Sequence, residues 1–307
     1  MAAVGEPDVV WSLPGADAAA GWRALLWTVR VEGGIAVLLA QERFLRRDYG
    51  VWHARERFDA EVVFVSGEGA VQRRVPLRGV EPGAAHFAVL PGDRFLLVRG
   101  RSHEGAEGRW EPNAVVHGAD GATVERAFCV GDDIPALVTD RRGGIWAAYG
   151  DEGIYGNHPQ TAAGLAGWSG RGRHTWGPDG RLPAWPLEGL AAATEREAVW
   201  LAWYSGGGEG THLSRVTPAT GEVATFRSPA HGIDGIAVCG DRAVVSRRDH
   251  GKHSTTLIRA GLGADGVWTV GGEERLRMPG PVRMRCGQGR DGVLWLRAGD
   301  AWVRVRA

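Results

Sequence analysis

The chain has 307 residues, of which 44% are hydrophobic, so it can bury the cores of about one to three domains. Its 36 basic and 36 acidic residues cancel, which excludes the strong net charge with which many proteins bind nucleic acids or anionic membranes. Three widely spaced cysteines, and an N-terminus without the basic and apolar regions of a secretory signal, predict a cytoplasmic protein without a disulfide framework.

A β-hairpin recurs along the chain. Short alternating runs bounded by Gly, Asp and Pro are frequent, whereas helical periodicity is scarce. In each hairpin a strand rich in small residues is followed by a tight acidic or glycine turn and a more apolar strand. The copies lie at 25–40, 86–100, 136–150, 190–205, 235–249 and 282–299. Their spacing of roughly 45–60 residues is the period of propeller blades.

A third and a fourth strand follow each hairpin, and four antiparallel strands make one blade. The last unit lacks its fourth strand, and "DVVWSLPG" at 8–15 has the right form to pair with 301–307 and close a ring. The sequence therefore predicts an all-β, six-bladed β-propeller in a single domain, 1–307. The blades are predicted at 22–79, 84–131, 132–178, 186–229, 231–279, and 281–307 with 8–15. A seven-bladed ring and a two-sheet sandwich remain as alternatives.

A characteristic turn accompanies this pattern. "D-x-x-G-x-[IL]-W" occurs at Asp140–Trp146, and a variant occurs at Arg290–Trp295. With this turn the chain resembles the six-bladed propeller superfamily that includes NHL-type and SMP-30-type proteins. The resemblance implies the fold but no particular activity. SMP-30-type members hold a divalent ion in the channel with acids and asparagines, and this chain departs from them because Asn113 and Asn157 lie outside the inter-blade loops.

Long polar loops predict a binding site on one face. The loops between second and third strands, together with the inter-blade loops, open on the same side and carry eight of the ten histidines. The opposite turns are short. The candidate ligand-binding residues are His53, His103, Glu104, Trp110, Asp151, Tyr155, His212, Asp249, His250 and His253. The alternative is that these loops are polar only because they are solvated.

The third blade's loop carries the candidate catalytic pair. His158 is the predicted general acid or base because histidine titrates near neutral pH, and Glu152 would orient it or bind a cation. Propeller lyases of the virginiamycin B lyase type use a histidine and a divalent ion in a similar place, although this chain lacks their diagnostic motif. The predicted function is small-molecule binding, with metal-assisted lyase or hydrolase chemistry as one form of it.

Three acids precede the first strands of blades at the predicted channel mouth: Asp133, Glu188 and Asp234. In the sixth blade Arg283 is the nearest charge. A ring of carboxylates must be protonated, paired or bound to a cation, so a divalent cation is the predicted cofactor. The alternative is that each acid caps its own turn through a backbone N–H.

A second function uses the same face. A flat surface with exposed Trp and Arg would indicate a scaffold that binds a protein or peptide without catalysis. A deep funnel with convergent His and acids would indicate a small-molecule site. Neither nucleic acid nor a membrane is a predicted partner, and the sequence leaves the oligomeric state open.

Overall fold

The computed structural model describes residues 4–48, 51–206, 210–249 and 253–307, and these are mostly β-strands. They form two compact units. Unit 1 contains the described residues up to Val9 and those from Gly131 onward, and unit 2 runs from Val10 to Val130. The first elements are β1 (Val4–Gly5), β2 (Asp8–Ser12) and the one-turn helix α1 (Gly15–Ala19). No helix in the described part of the chain is long and apolar enough to cross a membrane.

Unit 2 contains two antiparallel four-stranded sheets and a small hairpin. The first sheet has the order β3-β4-β7-β8, the hairpin is β5-β6, and the second sheet has the order β9-β10-β11-β12. The strands are β3 (Trp22–Val29), β4 (Ile35–Gln41), β5 (Leu45–Asp48), β6 (Val51–Ala54), β7 (Phe58–Val65), β8 (Val71–Val80), β9 (Ala84–Leu90), β10 (Arg94–Arg99), β11 (Ala114–His117) and β12 (Val124–Phe128). Short 3-10 turns lie at Glu42–Phe44 and Ala106–Gly108.

Apolar runs explain why the strands of unit 2 form. The sequence "IAVLLA" of β4 is buried throughout, as expected for a strand covered on both faces. Leu38, Phe64 and Phe95 belong to one buried cluster, and Phe87 stacks on Phe95 with ring centroids 6.3 Å apart. Such aromatic pairs stabilise a core beyond their buried area.

Unit 1 contains the remaining sheets. Their strands are β13 (Ala136–Thr139), β14 (Ile145–Ala148), β15 (Leu165–Trp168), β16 (His174–Trp176), β17 (Glu188–Thr194), β18 (Val199–Tyr204), β19 (Thr211–Val216), β20 (Val223–Arg227), β21 (Gly235–Cys239), β22 (Arg242–Arg248), β23 (Ser254–Leu262), β24 (Trp268–Arg277), β25 (Val282–Arg290), β26 (Val293–Ala298) and β27 (Ala301–Arg306). The short helix α2 (Asp151–Ile154) follows β14. Consecutive strands are antiparallel neighbours in the sets β13–β16, β17–β20 and β21–β24 and in the three strands β25–β27, which is the plan of propeller blades.

The N-terminal segment joins the sheets of unit 1. β1 pairs in parallel with β24, with Val4 opposite Arg275. β2 is the neighbour of β27 in the sheet order, and Asp8 accepts from Nε and Nη2 of Arg304 at 3.1 and 3.0 Å. The predicted pairing of 8–15 with the last strand therefore has a counterpart at Asp8, while the blade count and the closure of a ring stay predictions.

The first strands of neighbouring sheets in unit 1 touch through their backbones. β17 and β25 pair in parallel, with Ala193 opposite Gly289. A Cβ atom on Gly287 would lie 2.7 Å from the Cα of Gly235, and one on Gly289 would overlap the carbonyl oxygen of Ile236. At these glycines there is no room for a side chain between the strands, whereas the buried Arg290 of β25 donates to the carbonyl of Thr139 in β13 at 2.6 Å.

Candidate functional site

One edge of unit 1 collects its longer loops. In a set of four antiparallel strands, the first and third strands begin at the edge where the second and fourth end. We call this edge the loop rim. It comprises the described residues of 149–164, 177–187, 205–210, 228–234, 249–253 and 278–281 with the adjoining strand ends.

The loop rim carries large exposed apolar side chains. Tyr155 is 68% exposed, Trp185 58%, Met284 57% and Tyr204 40%. Every other large hydrophobic residue that is exposed in the described ranges is a valine. The exposed aromatic and methionine side chains are therefore confined to this edge, and such concentrations mark interaction sites in soluble proteins.

Backbone contacts hold these side chains in place. Pro186 is buried against Gly164, and the N–H of Leu187 donates to the carbonyl of Tyr204 at 2.7 Å. Trp185 is thus fixed close to the end of β18. At the end of α2, the N–H of Tyr155 donates to the carbonyl of Asp151 at 2.9 Å, which leaves the ring in solvent.

The three acids predicted as metal ligands have protein partners. Asp234 is buried and accepts from the backbone N–H groups of Arg248 at 2.9 Å and Arg285 at 2.8 Å. Glu188 forms an ion pair with Arg285 at 2.6 Å, and Asp133 accepts from the N–H of Glu152 at 3.1 Å. These partners lie outside each acid's own turn, so the contacts differ from the turn caps that were stated above as the alternative.

A cation site is not formed by the described side chains. Across residues 4–48, 51–206, 210–249 and 253–307, no group of three or more His, Cys, Asp or Glu residues is arranged to hold a metal ion. In the last sheet Arg285 contacts two of the three acids, Glu188 and Asp234; it lies where β25 shifts register between Val282 and Gly287, and its φ is +57°. A divalent cofactor stays an untested prediction.

His158 does not lie in an open loop. It is 3% exposed, and its Nδ1 accepts from the N–H of Gln160 at 3.3 Å. The loop folds back so that the Thr161 hydroxyl, with one hydrogen to donate, lies 2.6 Å from the carbonyl oxygen of Gly153 and 3.0 Å from that of His158. Burial holds the pKa of His158 below its usual value. Glu152, its predicted partner, is exposed on α2. The expectation of an exposed His158 was wrong.

His212 also differs from its predicted place. It lies on β19 rather than in a loop, is 7% exposed, and stacks on Trp203 with ring centroids 4.4 Å apart. Its burial follows from the extension of β19 to Thr211, which draws the histidine into the sheet. The expectation that eight histidines open onto one face was therefore wrong for His158 and His212.

The other predicted ligand residues lie apart or bind protein groups. Asp249 accepts from the Ser254 hydroxyl at 2.6 Å and forms an ion pair with Arg275 at 2.8 Å. Asp151 and His253 are exposed in unit 1, whereas His250 lies outside the described residues. In unit 2, His53 on β6 and His103 are exposed, and Glu104 forms a β-bridge with Trp110.

Sequence reasoning missed Trp185, Tyr204, Met284 and Arg285. Trp185 had a usable signal, because a Trp beside a proline in the inter-blade stretch "LPAWPLEG" is poorly placed for a core. Arg285 had none, since the irregular pairing of β25 that presents it cannot be seen in the letters "VRMRCGQG".

Comparisons with known proteins add no functional identity. No protein-family model matches the chain, and no curated protein matches it. Similar solved structures include a member of the duf4221 family from Bacteroides vulgatus, with 8% identity, a TM-score of 0.49, and coverage of 100% of this chain and 99% of that one. Another is the Dos1 propeller, with 7% identity, a TM-score of 0.48, and coverage of 97% and 94%. Because these identities and TM-scores are low, the fold is described from the strand pairing of this chain alone.

Proposed function

We propose that the protein is a binding scaffold whose loop rim holds an extended polypeptide segment of a partner. The observation that carries this proposal is the confinement of Tyr155, Trp185, Tyr204 and Met284 to one edge of unit 1, each at least 40% exposed. Aromatic residues and Met are enriched in the centres of protein interfaces. Covering apolar surface contributes roughly 25 cal/mol per Å² before the costs of association.

The polar groups beside these anchors suit an interface better than a catalytic centre. Arg285 and Glu188 form an ion pair at the rim, with Glu188 directly opposite Tyr204 across the β17–β18 pair. Interfaces commonly surround apolar anchors with such polar contacts. Catalysis by His158 would need the ring to reach a substrate, and its burial beneath the loop gives that hypothesis little support.

A phage-displayed random peptide library tests the proposal. We expect enriched peptides that bind the wild type and lose most of their affinity for the Trp185→Ala/Tyr204→Ala double variant. The matched control is Val71→Ala/Val124→Ala, which removes exposed apolar side chains from unit 2. The proposal would be overturned if no peptide were enriched. It would also be overturned if both double variants melted like the wild type and lost the same affinity for the peptides.

We also propose that the sheets form six blades of a closed ring, with β2 completing the set of β25, β26 and β27. Support comes from the place of β2 beside β27 and from the Asp8–Arg304 ion pair. Calorimetry of a variant lacking residues 8–15 is the test. We expect one cooperative transition at a lower Tm, whereas a second transition unaffected by the deletion would contradict a closed ring.

A further inference from the structure

Unit 2 contains a cleft that none of the predicted site residues lines. Its volume is about 380 Å³, within the range of small-molecule sites. The floor is a cross-strand row on one face of the second sheet, in which Leu97 pairs with Val115 and Val115 pairs with Ala127. We call this space the unit 2 cleft.

Two arginines give the unit 2 cleft a positive edge. Arg57 and Arg99 both line it, with a single carboxylate, Glu81. The Glu81 carboxylate lies 3.5 Å from Nε of Arg57. Arg99 donates to the carbonyl of Pro112 at 2.5 Å and forms no ion pair with any residue that the structure describes. Guanidinium groups bind carboxylates through paired hydrogen bonds, so an unpaired Arg99 favours an anionic ligand group.

A glycine allows Arg57 to lie against the wall of the cleft. The Nε atom of Arg57 donates to the carbonyl of Gly79 at 3.1 Å. A Cβ atom at Gly79 would lie 2.6 Å from the Arg57 guanidinium, and the φ of Gly79 is +62°. The positive φ favours glycine here, and the missing Cβ leaves space that the Arg57 guanidinium occupies.

His117 supplies a polar group at the other end. It lines the cleft on the same side of β11 as Val115, is 1% exposed, and its buried Nδ1 has no hydrogen-bond partner among the described residues. Burial, with a smaller effect of the Arg57 charge, holds the pKa of His117 below its usual value. Buried polar atoms without partners are rare in folded proteins, so a ligand group that reached this one would gain a hydrogen bond.

The spacing of these groups defines the ligand. From Asn113, whose carbonyl accepts from the N–H of Arg99 at 2.8 Å, to His117 the strand advances by about 13 Å at the usual rise per residue. We propose that the unit 2 cleft binds a small carboxylate with an apolar body. The carboxylate binds Arg99 and Arg57, the body covers Leu97 and Val115, and a distal polar group reaches His117.

Titration calorimetry with octanoate and its uncharged analogue octanamide tests the charge. We expect the wild type to bind octanoate about tenfold more tightly than octanamide, and Arg99→Leu to lose this preference. Arg94→Leu is the matched control, because Arg94 lies on the same strand and also donates to a proline carbonyl, at 3.0 Å. The proposal would be overturned if the wild type bound both probes equally or bound neither. It would also be overturned if Arg94→Leu lost the preference for octanoate as fully as Arg99→Leu.

A hydroxylated probe tests the distal end. We expect 8-hydroxyoctanoate to bind the wild type more tightly than octanoate does, and His117→Leu to abolish that difference while still preferring octanoate to octanamide. A retained preference for octanoate over octanamide shows that His117→Leu is still folded and still binds the carboxylate. If His117→Leu keeps the preference for the hydroxylated probe, the role of His117 is wrong. A peptide with a free C-terminal Leu that binds more tightly than either acid would overturn the assignment to a small molecule.

Discussion

Arg285 donates from Nη2 to Oε1 of Glu188 at 2.6 Å, and this ion pair joins the beginnings of β25 and β17 at the loop rim. The same arginine gives its backbone N–H to Asp234 at 2.8 Å. Two acids that the sequence suggested as metal ligands are therefore bound by one residue. Glu188 and Arg285 are partly exposed, so water screens their attraction, whereas Asp234 is buried and depends on its two N–H donors.

Asp234→Asn should destabilise the protein by about 2 kcal/mol, because an amide offers one acceptor oxygen to two backbone donors and loses the negative charge. Urea unfolding measures the change in the free energy of unfolding. Asp265→Asn is the control, since Asp265 accepts a single N–H, that of Val267, in an exposed turn. A cost at Asp234 no larger than at Asp265 would show that the two N–H bonds contribute little.

The sequence predicted the strands of unit 1 better than its loops, for a physical reason. Alternating apolar runs bounded by Gly and Asp specify strands locally, and β14 and β26 lie where the turn motif placed them. The burial of His158 accompanies a fold-back of its loop, in which the Thr161 hydroxyl lies within hydrogen-bond distance of two carbonyl oxygens, those of Gly153 and His158. Nothing in the spacing of polar residues reveals such a fold-back, so the loop resembled an open site.

The closed packing of the first strands was equally hidden. Gly235, Gly287 and Gly289 looked like ordinary strand glycines in the sequence, but each permits a close backbone approach between sheets. A glycine within a strand indicates a bulge or a close approach without saying which partner approaches. The structure shows the partners: β17 pairs with β25, and the N–H of Gly287 donates to the carbonyl of Asp234, just before β21, at 3.0 Å.

Gly289→Ala should destabilise the protein by more than about 3 kcal/mol, since the new methyl group would overlap the carbonyl oxygen of Ile236. Thermal unfolding compares it with Gly272→Ala, where nothing lies within 4 Å of the added atom. We expect the control to melt near the wild type. Similar melting temperatures for the two variants would mean that β21 and β25 can separate without cost.

The free energy of unfolding should fall as the pH is lowered below about 6.5, which is the ordinary pKa of histidine. Burial holds the pKa values of His117 and His158 below it, so in this range the unfolded chain binds more protons than the folded one. The contribution of these neutral side chains is complete above the unfolded pKa and is lost as the pH falls toward the folded values.

Urea unfolding at pH 7.5 and 5.5 measures this loss. His158→Gln should lose less stability between the two pH values than the wild type does, because one titrating group has been removed. His103→Gln, at an exposed position, is the control and should show the wild-type difference. If His158→Gln keeps the full difference, proton binding at this buried ring does not contribute to the acid sensitivity.

The turn that suggested the fold has a clear structural basis at Asp140. Its Oδ1 accepts from the N–H groups of Arg142 at 2.8 Å and Gly144 at 2.9 Å, and its Oδ2 accepts from the indole of Trp146 at 2.8 Å. One carboxylate thus closes the turn and orients a tryptophan that packs against Trp176. The motif needs an acid at its first position because three donors converge there.

Asp140→Ala should therefore destabilise the protein by about 2–3 kcal/mol, since three donors lose their acceptor and the indole N–H is partly buried. Asp140→Asn should cost less, because its amide oxygen can still accept from the turn. The change in the free energy of unfolding is measured by urea unfolding. Asp291→Ala is the control, because Asp291 occupies the variant turn and forms an exposed ion pair with Arg141 at 2.6 Å. An Asp140→Ala cost no greater than that of Asp291→Ala would mean that the turn is held by its backbone alone.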